Sequence, residues 1–204
     1  MTASTPAPEA PETPVSPTPS PNRGDTAVSI AGQLARGDFR RGDLAELRRM
    51  DVDAPGPAVF WRLMAENELL GRGTVLESKW ALILHGLALM TPTSSEDNTS
   101  RSAHDGHMPV GRALFLGSET TRQAGFYSES RLNRLLTARG PILQTLLARM
   151  FRMLAAAGVS FNWREMAQFI LNNNYDEDAA ELSRRRIARD YYQTQRRSAQ
   201  SNAT

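Results

Sequence analysis

Apolar side chains recur at helical spacing through most of this chain, and no stretch shows the strict alternation of a half-buried strand. The most informative stretch is 128–154, SESRLNRLLTARGPILQTLLARMFRML, which divides into two helices at Gly140-Pro141. Glycine tolerates the left-handed conformation that ends one helix, and the fixed φ of proline suits the first turn of the next. Ser128 stands where an N-cap is wanted, and Glu129 follows in the turn where the helix dipole favours negative charge. At about 100° per residue, Leu132, Leu135 and Leu136 share one arc of the first helix. Ile142, Leu143, Leu146, Leu147, Met150, Met153 and Leu154 share another in the second, with Phe151 at its margin. The opposite edges carry Arg131 and Arg134, then Arg149 and Arg152. The pattern predicts a central helix pair with wide buried faces and an arginine strip along each edge.

The same reasoning places other helices along the chain. Asp25 opens one that runs to about Arg36, burying Val28, Ile30, Ala31 and Leu34. Asp43 is placed to cap a short helix containing Leu44, Leu47, Arg48, Arg49 and Met50, broken by Ala54-Pro-Gly-Pro57. Beyond Pro57 the spacing of Phe60, Leu63 and Met64 predicts another helix, with Phe60-Trp61 read as core in preference to a base-stacking pair. Thr74 to Met90 is apolar on most sides and therefore belongs near the middle of a bundle. Val110–Leu116 is a short helix presenting Arg112; Asn162 caps a helix over Trp163–Leu171; and a last helix over about 178–195 carries Leu182, Ile187, Tyr191 and Tyr192 on one strip. The expected fold is all-α, a bundle of about eight or nine helices with no sheet. Residues 25–195 form a single domain, or two small lobes sharing one core, with a mobile polar loop at 91–108 and a flexible end at 196–204.

Composition changes this picture in a few places. Seven of the twelve prolines fall in 1–24, a segment with too little apolar surface to offset its ordering entropy, read as a disordered, partly polyproline tail. The net charge is only +2, yet Lys79 is the sole lysine among 24 basic residues. Arginine is the better phosphate ligand because its guanidinium is planar, multidentate and weakly hydrated; codon bias in a GC-rich genome produces the same exchange without functional meaning. Where the arginines sit is therefore the useful question. The chain has no cysteine, which excludes disulfides and thiolate chemistry. Its longest uncharged apolar run, Trp80–Met90, is too short to span a bilayer and contains His85, so the expectation is a cytoplasmic protein with no membrane partner.

Catalytic patterns are missing. No nucleophile–base pair, phosphate cradle or metal-ligand spacing stands out, and Leu70-Gly-Arg-Gly73 lacks the strand and Lys-Ser/Thr of a phosphate loop. His104, Asp105 and His107 lie in the expected mobile loop and are not read as a metal site; the stretch 172–178 lacks the glycine and terminal glutamate of an EF-hand. Neither an enzyme nor a cofactor is expected.

Several segments fall in a telling order: Leu47-Arg48-Arg49, then PAVFWRLM (57–64), the apolar helix, VGRAL (110–114), SESRLNRLL (128–136), FNW…MAQFIL (161–171) and RIARDYY (186–192). In this order, over about residues 39–192, the chain resembles the CasB family, the small subunit of the type I-E CRISPR surveillance complex Cascade. The resemblance implies a non-catalytic, all-helical protein, present as paired copies along a ribonucleoprotein. Its implied partners are the other Cascade subunits, a second copy of itself, the crRNA, and the target and non-target DNA strands. It would hold those strands without reading sequence while the R-loop is open. Within matching segments Arg48, Arg49, Arg112, Arg131 and Arg134 become candidate nucleic-acid contacts, with Arg139 just beyond. For each of them the alternative is an ion pair with a neighbouring carboxylate. Two other classes stay open: a helical protein–protein adaptor with incidental nucleic-acid binding, and an autonomous DNA-binding regulator, for which no convincing recognition helix is found.

Overall fold

The computed structural model describes residues 23–92, 102–117 and 125–201. Most of the proline-rich segment, the middle of the expected loop (93–101) and the last three residues lie outside the described residues. Among those described, every regular element is an α-helix: α1 (Arg23–Leu34), α2 (Arg41–Arg49), α3 (Ala58–Glu66), α4 (Thr74–Met90), α5 (Val110–Leu116), α6 (Glu129–Thr137), α7 (Gly140–Ala156), α8 (Trp163–Asn172) and α9 (Glu177–Ser201). The all-α expectation holds, and a single isolated bridge between His104 and Phe161 is the nearest thing to a sheet.

The centre is α4 rather than the α6–α7 pair. Residues 79–88 of α4 are buried without a break, and α1, α2, α7 and α8 all pack against it. Against one side lies an aromatic cluster in which Phe161 stacks on Trp163 and Phe151 meets it at a tilt, each ring centroid 5.1 Å from that of Trp163. Gly86 is what lets the cluster approach: a Cβ there would sit 2.6 Å from Trp163 and 2.7 Å from Phe151. Phe151, marginal in the apolar arc of α7, is therefore fully buried, whereas Ile142 is 67% exposed. Leu147 is buried, but Leu146 is only partly so. The arc predicted from spacing is right in width and rotated from the true buried face, because α4 and the cluster lie to one side of it. On the far side of the molecule α9 packs closely on α5, where Gly111 brings the helices together; a Cβ on it would stand 2.1 Å from the Ile187 carbonyl oxygen.

A buried helix leaves its last carbonyls without partners unless a side chain supplies donors. At the end of α4 Arg48 does so, donating from Nε to the Ala88 carbonyl at 2.7 Å and from Nη2 to the Thr91 carbonyl. Lys79 performs the same service for α8, its buried ammonium donating to the Leu171 carbonyl at 2.8 Å. Neither role is visible in the order of residues, since the partners are 40 and 92 positions away.

The far end of the expected mobile loop is tied down. Ala103 is buried, and His104 Nδ1 accepts the Trp163 N–H at 3.1 Å while Asn162 caps Arg164 as expected, so the two side chains share the start of α8. Asp43 lies inside the first turn of α2 rather than at its cap and pairs with Arg62. Ser128 stands at the N-cap position of α6, but its hydroxyl lies against that of Ser130 and bonds no helix N–H. Helix α9 continues through Ser201, where a flexible end was expected from residue 196.

Two substitution tests follow from this packing. Leu147→Ala is expected to cost about 2–5 kcal/mol, measured by chemical denaturation, with Leu146→Ala clearly milder; equal losses would misplace the buried face of α7. Arg48→Ala is expected to cost about 1.5–3 kcal/mol, because it strips charged donors from part-buried carbonyls.

A further test concerns pH. Burial holds His85 below the ordinary histidine pKa, helped by Arg152 and opposed by its bond to the Leu47 carbonyl; burial also lowers His104, with Asp105 opposing and Arg164 assisting. As pH falls through the unfolded value of about 6.5, the unfolded chain takes up protons that these folded imidazoles refuse. Stability is full above that window and declines below it. Glu165 and Asp190, raised by burial, act in the opposite sense, so a variant isolates the effect. His85→Asn, which keeps a donor for Leu47, is expected to flatten the fall in Tm between about pH 7 and about pH 5.5.

Candidate nucleic-acid interface

The arginines marked out in the sequence separate into two kinds once their partners are known. Arg48 is committed to the end of α4, and its lowered pKa has the same origin, burial beside the bundle core. Arg139 is committed too: Nη1 donates to the Leu136, Thr137 and Ala138 carbonyls at 3.0–3.1 Å, closing the end of α6, while Nε meets Glu177 at 3.1 Å. A cation suits these sites because carbonyls concentrate at a helix C-terminus. Their geometry favours a structural role for both.

Arg49, Arg112, Arg131 and Arg134 are exposed and form no ion pair among the described residues. They are not all together. Arg49 ends α2 and Arg112 stands on α5, whereas Arg131 and Arg134 rise from neighbouring positions on α6. These last two line a cleft of about 320 Å³ with Tyr127, Leu146, Arg149, Met150 and Met153.

The two edges of the cleft follow from which side of each helix is buried. Leu132 and Leu135 fasten α6 to the bundle, which turns the positions before each of them, Arg131 and Arg134, outward along one edge. On α7, Leu147, Met150 and Phe151 point inward and set Arg149 on the facing edge. Two helix edges thus bring three guanidinium groups over a floor of leucine and methionine, and no carboxylate lines it. Arg131 Nη1 lies 3.6 Å from the Met153 sulfur, a weak contact that leaves its remaining N–H groups available. Tyr127 closes one end; burial raises its pKa while Arg131 and Arg134 oppose the rise. Such an arrangement can accept an anion with several oxygens, and the apolar floor suits the sugar and base edges of a nucleic-acid chain.

Arg149 was marked as part of the α7 strip but lies outside the segments that carry the family resemblance, so it was not among the candidate contacts. Its signal was the shared edge with Arg152; its membership of the cleft depends on how α6 leans on α7. Elsewhere, ring nitrogens of His85 and His104 are engaged by the backbone at Leu47 and Trp163, which gives both histidines a structural use.

Comparisons with known proteins bear on this geometry. No curated protein and no solved structure matches the chain. The model of the family described as CRISPR-associated protein Cse2 matches residues 43–192, which run from the first turn of α2 into α9 and include every arginine of the cleft. The chain belongs to this CRISPR-associated Cse2 family, the CasB family of type I-E Cascade that its ordered segments resemble.

Proposed function

We propose that the chain is a non-catalytic small subunit of the type I-E Cascade complex that braces the complex and holds opened target DNA through sequence-independent phosphate contacts. The observation that carries this reading is the cleft between α6 and α7, where Arg131, Arg134 and Arg149 converge with no carboxylate to neutralise them. Guide pairing reads the sequence in such a complex, so the protein needs only backbone contacts, and guanidinium groups over an apolar floor supply these. Arg49 and Arg112 are exposed outlying contacts of the same kind. In this reading the partners are the crRNA, both target DNA strands, the other Cascade subunits and a second copy of the chain, and the setting is the cytoplasm.

A protein-facing role is supported by a separate surface. Val75 and Ile142, 68% and 67% exposed, stand on the first turns of α4 and α7, beside a small cleft lined by Val75 and Leu143. Apolar side chains this exposed suit contact with another subunit. The adaptor and nucleic-acid readings therefore use different faces and are separable by mutation.

Binding is expected to be weak, indifferent to sequence and salt-sensitive. Each phosphate neutralised contributes a slope of about −0.7 in log K against log salt on single strands and about −0.9 on duplex. Replacing Arg131, Arg134 and Arg149 together with alanine is expected to flatten the single-strand slope by about two, with little change in Tm. In the assembled complex the triple variant should load guide RNA normally while the opened duplex recloses more readily, because R-loop formation is nearly balanced. A wild-type salt slope and normal R-loop lifetime in that variant would favour the adaptor.

A further inference from the structure

The final helix departs from the strip expected of it. Leu182 is 67% exposed and Tyr192 is 40% exposed, while Ala180, Arg184, Ile187, Tyr191 and Thr194 face inward. Arg184 is held inside by Glu177 at 2.8 Å, Asn173 at 2.5 Å and the face of Phe169. The outer face consequently carries Arg189, Tyr192 and Arg196, at spacings of three and four residues. At about 100° per residue they fall within about 60° of arc, so the tyrosine lies between two arginines along one line of the helix.

Tyr192 has a rigid base. Its ring meets that of Tyr191 edge to face, with centroids 5.4 Å apart. Tyr191 in turn is fixed by a hydrogen bond from its hydroxyl to the Tyr127 carbonyl at 2.7 Å and by an edge contact with Phe115 at 5.3 Å. Among the described residues the Tyr192 hydroxyl has no hydrogen bond, and Arg189 and Arg196 have no ion pair. Arg185, one turn earlier, is spent on Glu181 at 3.0 Å. Two carboxylates lie near this edge: Asp190, which feels the charges of Arg186 and Arg189 without forming an ion pair with either, and Glu129, which Gln195 holds at 2.6 Å. Tyr127, which receives the Tyr191 bond, also lines the arginine cleft. The strip and the cleft therefore share one fixed contact.

We propose that Tyr192 is a stacking platform for an unpaired base of single-stranded DNA, with Arg189 and Arg196 holding the flanking phosphates. This rests on the reading of the chain as a Cascade subunit that contacts opened DNA. An exposed aromatic ring between cations that form no ion pair is the combination that binds single strands without sequence preference, since every base offers a π-face. A paired base has both faces covered by its neighbours, so the platform separates unpaired from duplex DNA, which phosphate contacts alone do poorly. The occupant is DNA because in an R-loop the guide RNA is paired with the target, leaving the displaced DNA strand unpaired. Tyr192 is the last residue of the family match, and Arg196 lies four residues beyond it on the same helix.

The test uses the full chain and three probes of one sequence: a DNA strand, its duplex, and the corresponding RNA strand. Tyr192→Ala is expected to weaken binding to the DNA strand about tenfold, within the range measured for stacked bases, and to leave duplex binding unchanged. Tyr192→Trp should retain single-strand affinity. A 2-aminopurine base in the DNA strand should be quenched on binding to wild type and to the Trp variant, a signal independent of how well the Ala variant folds. Equal weakening on strand and duplex, absence of quenching with wild type, or a Tyr192-dependent preference for RNA would each overturn the proposal. The cleft is tested separately: loss of salt slope in the Arg131, Arg134, Arg149 triple variant with normal quenching supports both sites. Normal slope with Tyr192-dependent quenching removes the cleft alone, and lost slope without quenching removes the platform alone.

Discussion

A helix with no polar face must be enclosed on all sides, and α4 imposes that condition on the rest of the chain. Its unbroken buried run from Lys79 to Ala88 requires neighbours in every direction, and α1, α2, α7 and α8 supply them. Gly86 sharpens the demand by leaving space that only large rings can fill, which draws Phe151 and Trp163 to the same side. Each fully buried side chain of this size contributes about 1.5–3 kcal/mol relative to exposure. The position of α7 follows from this enclosure, and with it the edge on which Arg149 stands.

Enclosure creates a second requirement, since buried helix ends still need donors. The chain meets it with its long cations: Arg48 at the end of α4, Lys79 at the end of α8 and Arg139 at the end of α6. These groups sit where carbonyls are concentrated, and their partners are backbone atoms that no mutation elsewhere can remove. An arginine-rich chain of this kind therefore contains two populations. One closes helix ends or pairs with carboxylates, as Arg62, Arg164, Arg184 and Arg185 do; the other stands on outer edges with no ion pair among the described residues. Counting arginines cannot separate them.

The available population is ordered by the same packing. Arg131 and Arg134 flank the leucines that fasten α6, so their outward direction is a consequence of burial rather than an independent feature. The hydrogen bond from Tyr191 to the Tyr127 carbonyl then fixes α9 against the chain just before α6, and Gln195 reaches Glu129 across the same boundary. The arginine cleft and the outer face of α9 are in this way held by a common set of contacts.

Much of this was legible in the residue order, for reasons that are local. The opening of α7 at Gly140-Pro141 and the break at 54–57 depend on backbone geometry carried by those residues, although α6 itself ends earlier, at Thr137; the cap at Asn162 reaches only two positions forward. The all-apolar stretch from Trp80 announced a central helix because composition alone dictates enclosure. The ordered segments likewise pointed to the family without any coordinates. What the tertiary structure decided is rotation and partnership. Spacing gave α7 an apolar arc but not which part of it meets α4, so Ile142 was placed inside and Phe151 at the edge. On α9 it set Leu182 and Tyr192 inward, whereas the salt bridges and hydrogen bonds of Arg184 turn that face of the helix the other way. Arg48 and Arg139 stand as candidate contacts in the sequence because their carbonyl partners lie on other helices or around a turn, and Arg149 joins Arg131 and Arg134 only when α6 and α7 are set side by side. Local chemistry determines where helices begin, end and need cover; which cations remain free depends on contacts between residues far apart in the chain.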